Sequence, residues 1–171
     1  MLIKIAGIIL ICTSSTFLGI YHVMKIKFHI RDLNLLSNAL EILKSEIEFG
    51  ITPLNEATEN ISKHSSDFIK EFFLHMNKLL EEKRLCASQI WLNATSTLNK
   101  TYIDSQDIEI VKSFANVISN LDRNLQIESL NKIILSLQKK ILELENQYQN
   151  EKKLYYNLGF LLGLLTIIIF V

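Results

Sequence analysis

Long apolar runs occupy both ends of the chain, and the residues between them mix apolar and polar positions. Residues 154–171 contain no Lys, Arg, Asp or Glu, and neither does Ile5–Met24. As a helix, the last run would rise about 27 Å, which is close to the thickness of the hydrocarbon core of a bilayer. We therefore predict transmembrane helices at residues 1–24 and 154–171, joined by a domain at residues 25–153.

Between these runs, apolar residues recur at alternating steps of three and four, the spacing typical of helices that pack against one another. An early stripe consists of Leu33, Leu36, Leu40, Leu43 and Ile47. A late stripe consists of Leu130, Ile134, Leu137, Ile141, Leu144 and Tyr148. With one proline and five glycines in the chain, few positions break a helix. The pattern predicts an all-α protein: an antiparallel bundle of about six cytoplasmic helices, flanked by the N- and C-terminal transmembrane helices.

A short corner separates the early stripe from the next predicted helix. Gly50 is suited to end a helix because it tolerates a left-handed backbone. Thr52 and Pro53 then fit the N-cap and the first helical position, where the missing amide of proline costs nothing. We expect a tight turn between helices here, followed by a helix over Pro53–His64.

Three further helices are predicted in the middle of the chain. Aromatic residues including Phe68 and Phe72 lie on one helical face, and such a pattern is typical of a core. Trp91 is expected to anchor the packing of the next helix. Asp104 or Ser105 caps a helix that turns five residues inward: Ile108, Val111, Phe114, Ala115 and Ile118. Asp122 is expected to cap the final long helix.

Charge and candidate chemistry exclude several functions. Equal numbers of acidic and basic residues give zero net charge, without the basic excess of a nucleic-acid-binding protein. The sequence has no glycine-rich phosphate loop, and its four histidines lack the spacing of a metal site. Two cysteines, Cys12 and Cys86, fit a reducing compartment. We predict no catalytic, cofactor-binding or metal-binding residues, and a protein that is not an enzyme.

Basic residues beside the apolar runs indicate the topology, because cytoplasmic loops carry an excess of Lys and Arg. On the inner side of the runs lie Lys25, Lys27, Arg31, Lys152 and Lys153. Lys4 alone precedes the first run. Residues 25–153 are therefore predicted to face the cytoplasm.

Three stretches resemble one known family. Glu46–Ala57 reads EIEFGITPLNEA and Lys153–Gly163 reads KLYYNLGFLLG, while Phe114 is followed by Asp122-x-x-x-Gln126. These motifs are similar to those of the stage III sporulation protein AB family, and the resemblance covers the whole chain. The sequence departs from the family pattern at Ala115 and Ser119, where glycines are usual.

The resemblance implies a place and partners. It implies the mother-cell membrane around the forespore of a spore-forming bacterium, with the central domain in the mother-cell cytoplasm. It also implies a platform subunit of a secretion-like channel, similar to platform proteins of type II secretion and type IV pilus machines. The implied partners are a secretion-type ATPase, stage III sporulation protein AA, and other stage III sporulation A subunits. A homo-oligomer is also compatible with the sequence.

The predicted partner-binding residues are Glu46, Gly50, Thr52, Pro53, Glu56, Asp122 and Gln126. Gly50, Thr52 and Pro53 are also the residues that the turn itself needs. Alternatives remain at this stage. One is a membrane-anchored regulator or scaffold without ATPase coupling, although the segments outside the membrane would be very short. A membrane enzyme with a convergent site and a pore-forming protein are less well matched to the residues present.

Overall fold

The computed structural model describes the backbone of residues 2–49, 53–120 and 122–170. Side chains are described for residues 17, 20–49, 53–120 and 122–155. In these parts of the chain all regular structure is helical, which confirms the predicted all-α class. The α-helices are α1 (Leu2–Phe49), α2 (Leu54–His64), α3 (Asp67–Glu82), α4 (Ala87–Thr95), α5 (Ser105–Lys112) and α6 (Arg123–Phe170). Short 3-10 helices follow α4 at Ser96–Lys100 and α5 at Ser113–Asn116.

The chain forms two compact units. The helical domain is His29–Ile141, and the terminal unit combines Met1–Phe28 with Leu142–Val171. Both long helices contribute residues to each unit, since α1 and α6 have 48 residues each. The predicted boundaries at residues 24 and 154 stay predictions.

The two predicted transmembrane helices lie mostly outside the residues whose side chains are described. Within the described part of the chain, no helix is both long enough and apolar enough to cross a bilayer.

The predicted stripes supply much of the core of the helical domain, although Ile47 and Tyr148 are only partly buried and Tyr148 belongs to the terminal unit. Leu33, Leu36 and Leu40 of α1 are fully buried, as are Leu130 and Leu137 of α6. At the surface of this seam, the Lys44 Nζ donates to Asn131 Oδ1 at 3.0 Å and the Gln138 Nε2 donates to Glu41 Oε1 at 3.2 Å. Because the higher-numbered residue of α1 meets the lower-numbered residue of α6, the helices are antiparallel there.

An aromatic cluster holds the shorter helices together. Trp91 is fully buried, with its ring centroid 5.5 Å from that of Phe72 and 4.9 Å from that of Phe114 in edge-to-face contacts. Its indole N–H donates to the Val111 carbonyl at 2.9 Å, so the ring joins α4 to the end of α5. The prediction that Trp91 anchors the packing is confirmed.

Two local predictions need correction. Pro53 is the N-cap of α2 and not its first helical residue: its ψ of 150° is extended, a geometry that proline's fixed φ also permits. The helix that begins at Ser105 ends at Lys112 and continues as a 3-10 helix, although all five predicted residues are buried. A 3-10 turn has three residues per turn, so Val111 and Phe114 still point the same way.

Candidate partner-docking surface

A small cleft forms where α1 ends, α2 begins and α6 begins. Its volume is about 170 Å³. It is lined by Glu46, Ile47, Leu54, Ala57, Ile118, Arg123 and Gln126. We call it the corner cleft. Two of the predicted partner-binding residues, Glu46 and Gln126, are therefore brought together, although they come from opposite ends of the helical domain.

The other predicted residues differ in placement. Pro53, the N-cap of α2, and Glu56, in its first turn, are exposed and are next in the chain to lining residues of the corner cleft. Glu56 also lies where a negative charge interacts favourably with the helix dipole. Gly50 and Thr52 lie outside the described residues.

Asp122 and Gln126 hold the loop at the base of the corner cleft. Asp122 caps α6, as predicted, because its Oδ1 accepts from the Asn124 N–H at 2.9 Å. The Gln126 side-chain amide donates to the carbonyls of Ile118 at 3.1 Å and Asn120 at 2.6 Å. Part of their role is thus to fix the backbone between α5 and α6, leaving the corner cleft with a defined shape.

Arg123 and Ile118 were not among the predicted site residues. Nothing in the spacing of the loop indicated that Ile118 would line the same cleft as Leu54, since the two are far apart in sequence. Arg123 follows the predicted cap Asp122 directly, and this adjacency was the one available signal.

A larger groove runs along α3, which the sequence analysis did not anticipate. Its volume is about 660 Å³. Charged residues of both signs line it, among them Lys70 and Lys78 on α3 and Lys100 after α4, which lies 3.9 Å from Glu71. Leu74, which is also exposed, is among its lining residues. The mixed charges give this groove no clear preference for one sign of partner.

A partly buried polar cluster joins α1 to α5. His29 Nε2 lies 2.9 Å from Asp107 Oδ2, and Asp107 is only 2% exposed. Asp104 caps α5 by accepting from the Asp107 N–H at 2.9 Å, and its Oδ2 lies 3.5 Å from Lys140 Nζ. The cluster therefore ties three helices together.

The pKa of Asp104 is lowered below its ordinary value of 3.8. Partial burial acts to raise this pKa, but it is outweighed by the hydrogen bond from the Asp107 backbone and by the charges of Lys140 and His29.

Ligand atoms of His29, Asp104 and Asp107 all lie within 4.8 Å of one another, close enough to share a metal ion. Each of these side chains already has a protein partner, and the ammonium of Lys140 beside Asp104 would oppose a divalent cation. The arrangement is therefore better suited to fixing helices than to binding metal.

A second buried carboxylate belongs to α1 itself, about one turn after His29. Asp32 is 1% exposed, and its Oδ2 accepts from the Tyr102 N–H at 3.1 Å. Its Oδ1 is bound by the Arg31 guanidinium at 2.9 and 3.0 Å. Asp32 therefore fastens α1 to the segment between α4 and α5, while His29 fastens α1 to α5.

Comparison with known proteins identifies the family. The family described as Stage III sporulation protein AB matches residues 4–171. A protein of that name from Bacillus subtilis (strain 168) is 24% identical over 169 residues, which is 98% of this chain and 99% of the relative. A solved structure named Stage III sporulation protein AB (SpoIIIAB) covers 71% of this chain and 97% of its own, with a TM-score of 0.67 and 21% identity, and so shares its fold. The chain belongs to the stage III sporulation protein AB family.

Proposed function

We propose that this chain is a non-catalytic adaptor of a stage III sporulation channel complex. In this proposal the helical domain faces the mother-cell cytoplasm and docks a secretion-type ATPase. Residues 1–24 and 154–171 hold it in the membrane around the forespore, against the other channel subunits. Membership of a sporulation family supports the setting, and the corner cleft supports the docking.

The single observation that carries the docking proposal is the construction of the corner cleft. Three separate chain segments meet there, and the loop among them is fixed by the Gln126 amide and the Asp122 cap. A pre-organised surface loses little conformational entropy when a partner binds, which favours affinity.

Charge and exposed apolar surface around the corner cleft also suit a partner. Three exposed acids stand directly beside lining residues in the chain: Glu48, Glu56 and Asp122. Phe49, at the end of α1, is 77% exposed. An aromatic ring among charges is typical of the anchor of a protein interface, and the acids favour a partner with a basic face.

The test is purification of the full-length, detergent-extracted protein from sporulating cells, after cross-linking in the cells, with mass spectrometry of the proteins recovered. We expect a secretion-type ATPase together with membrane subunits of the complex. Recovery of the membrane subunits without the ATPase would overturn the docking proposal and favour a scaffold or regulator.

A further inference from the structure

Large apolar side chains are exposed at one end of the described part of the terminal unit. Phe17 is 75% exposed and Tyr21 is 68% exposed on α1, and Ile20, Met24 and Leu154 are exposed as well. A cluster of this kind on a protein surface marks a site that contacts a partner or a lipid phase.

The charges in the same region are almost all positive. Lys25 and Lys27 on α1, and Lys152 and Lys153 on α6, are all exposed. Residues 17–28 contain no acid, and residues 146–155 contain only Glu151. This lysine collar, as we call these four residues, therefore has one carboxylate near it in the chain.

That carboxylate is engaged within the protein. Glu151 Oε2 lies 3.3 Å from His22 Nε2, and its Oε1 accepts from the Gln147 amide at 2.7 Å. Its side chain is 23% exposed. With Glu151 turned inward, the outward charge of this region comes from the lysines.

The four lysines of the lysine collar lie near the contact between His22 and Glu151 along the helix axes. Each of the four lysines is within five residues of His22 or Glu151 along its own helix. At 1.5 Å per residue, they lie within about 8 Å of this contact along the helix axes. Tyr21 and Leu154, which are both exposed, are within three residues of His22 and Glu151 on the same helices.

We propose that the lysine collar binds the phosphate groups of anionic lipids while the neighbouring aromatic and aliphatic side chains enter the headgroup region. This inference rests on the membrane attachment in the proposed function. Lysine side chains extend their ammonium groups to the membrane surface along an apolar stem, and tyrosine is enriched at the same depth. Basic residues close to a membrane surface attract anionic lipid additively.

The test uses the full-length protein in a neutral detergent, titrated with fluorescent phosphatidylglycerol or phosphatidylcholine. We expect the affinity for phosphatidylglycerol to be at least tenfold higher and to fall as salt is added. Replacement of all four lysines by glutamine, K25Q, K27Q, K152Q and K153Q together, should abolish the preference. Replacement of the same four by arginine should keep it, because the charge is retained.

A matched control changes two exposed lysines of the helical domain, Lys70→Gln and Lys78→Gln, and should leave the lipid preference unchanged. Equal affinity for the two lipids, or a preference that survives the glutamine replacements, would overturn the inference. Loss of the preference in the arginine variant would also contradict it. The cross-linking experiment tests the docking proposal separately. Recovery of the ATPase without a lipid preference would contradict only the lipid-binding inference. A lipid preference without recovery of the ATPase would contradict only the docking proposal.

Discussion

The side chain of His29 lies against that of Asp107, with Nε2 2.9 Å from Oδ2, although 78 residues separate them in sequence. The Asp107 side chain is 2% exposed and that of His29 12%. The contact joins α1 to α5 through one imidazole.

Replacement of His29 by alanine should lower the free energy of unfolding by about 3 kcal/mol, because a buried carboxylate loses its partner. Chemical denaturation of the full-length protein in detergent measures this change in the free energy of unfolding. A control, Lys63→Ala, removes the exposed ion pair with Glu59 and should change stability by no more than about 0.5 kcal/mol. Equal effects for the two variants would contradict the structural role given to His29.

Trp91→Phe should destabilise the helical domain by about 2 kcal/mol. The change removes the hydrogen bond to the Val111 carbonyl and leaves space between Phe72 and Phe114. Thermal unfolding followed by far-ultraviolet circular dichroism measures the loss. Phe49→Leu, at an exposed aromatic, is the matched control and should leave the midpoint nearly unchanged. If the thermal unfolding midpoint of the Trp91→Phe variant equals that of the unmodified protein, the anchoring role of Trp91 is contradicted.

Gln126→Ala should lower the free energy of unfolding by about 1–2 kcal/mol, because the carbonyls of Ile118 and Asn120 lose a shared hydrogen-bond donor. Amide hydrogen exchange should rise in the segment before α6. Gln138→Ala removes a single exposed contact to Glu41 and serves as the control. If exchange rises equally in both variants, Gln126 does not hold the loop.

Reversal of charge at Glu56 to lysine tests docking at the corner cleft. We expect less ATPase to be recovered and fewer spores to form, while the amount of the protein in the membrane stays the same. The control Glu82→Lys reverses an exposed charge on α3, outside the lining of the corner cleft, and should have neither effect. Normal sporulation in the Glu56 variant, or its disappearance from the membrane, would leave this position without a docking role.

The lowered pKa of Asp104 predicts that the folded protein loses stability as the pH falls. Because the pKa of Asp104 is lower in the folded protein, the ionised form stabilises the fold above its ordinary pKa of 3.8. This contribution is lost as the pH falls from there through the lower folded-state pKa. Asp104→Asn should therefore flatten the decline of stability with acid below about pH 5, as measured by denaturation across pH. A variant with the same pH profile as the parent would contradict this.

The sequence predicted the features that depend on local spacing. Leu36 and Leu137 recur within stripes of fixed period, so their burial followed from the pattern. The contact between His29 and Asp107 could not be predicted, because no local pattern relates residues on helices distant in sequence. Pro53 was placed one position too far into α2, since proline's φ fits both the cap and the first helical residue.

For the candidate site, Glu46 and Gln126 came from motifs, and the structure places both at the corner cleft. The lining by Ile118 and Arg123 depends on how the loop folds back, which spacing does not specify. The hydrogen bonds of Gln126 to two carbonyls of that loop are likewise a product of tertiary structure.

The antiparallel pairing of α1 with α6 bears on how the chain folds as it is made. Lys44 meets Asn131, 87 residues later, and Glu41 meets Gln138, 97 residues later. The apolar face of α1 therefore leaves the ribosome long before its permanent cover has been synthesised. Contacts so distant in sequence form slowly, and exposed apolar surface invites aggregation in the interval. The nascent chain of this protein is thus prone to aggregation until α6 has been translated.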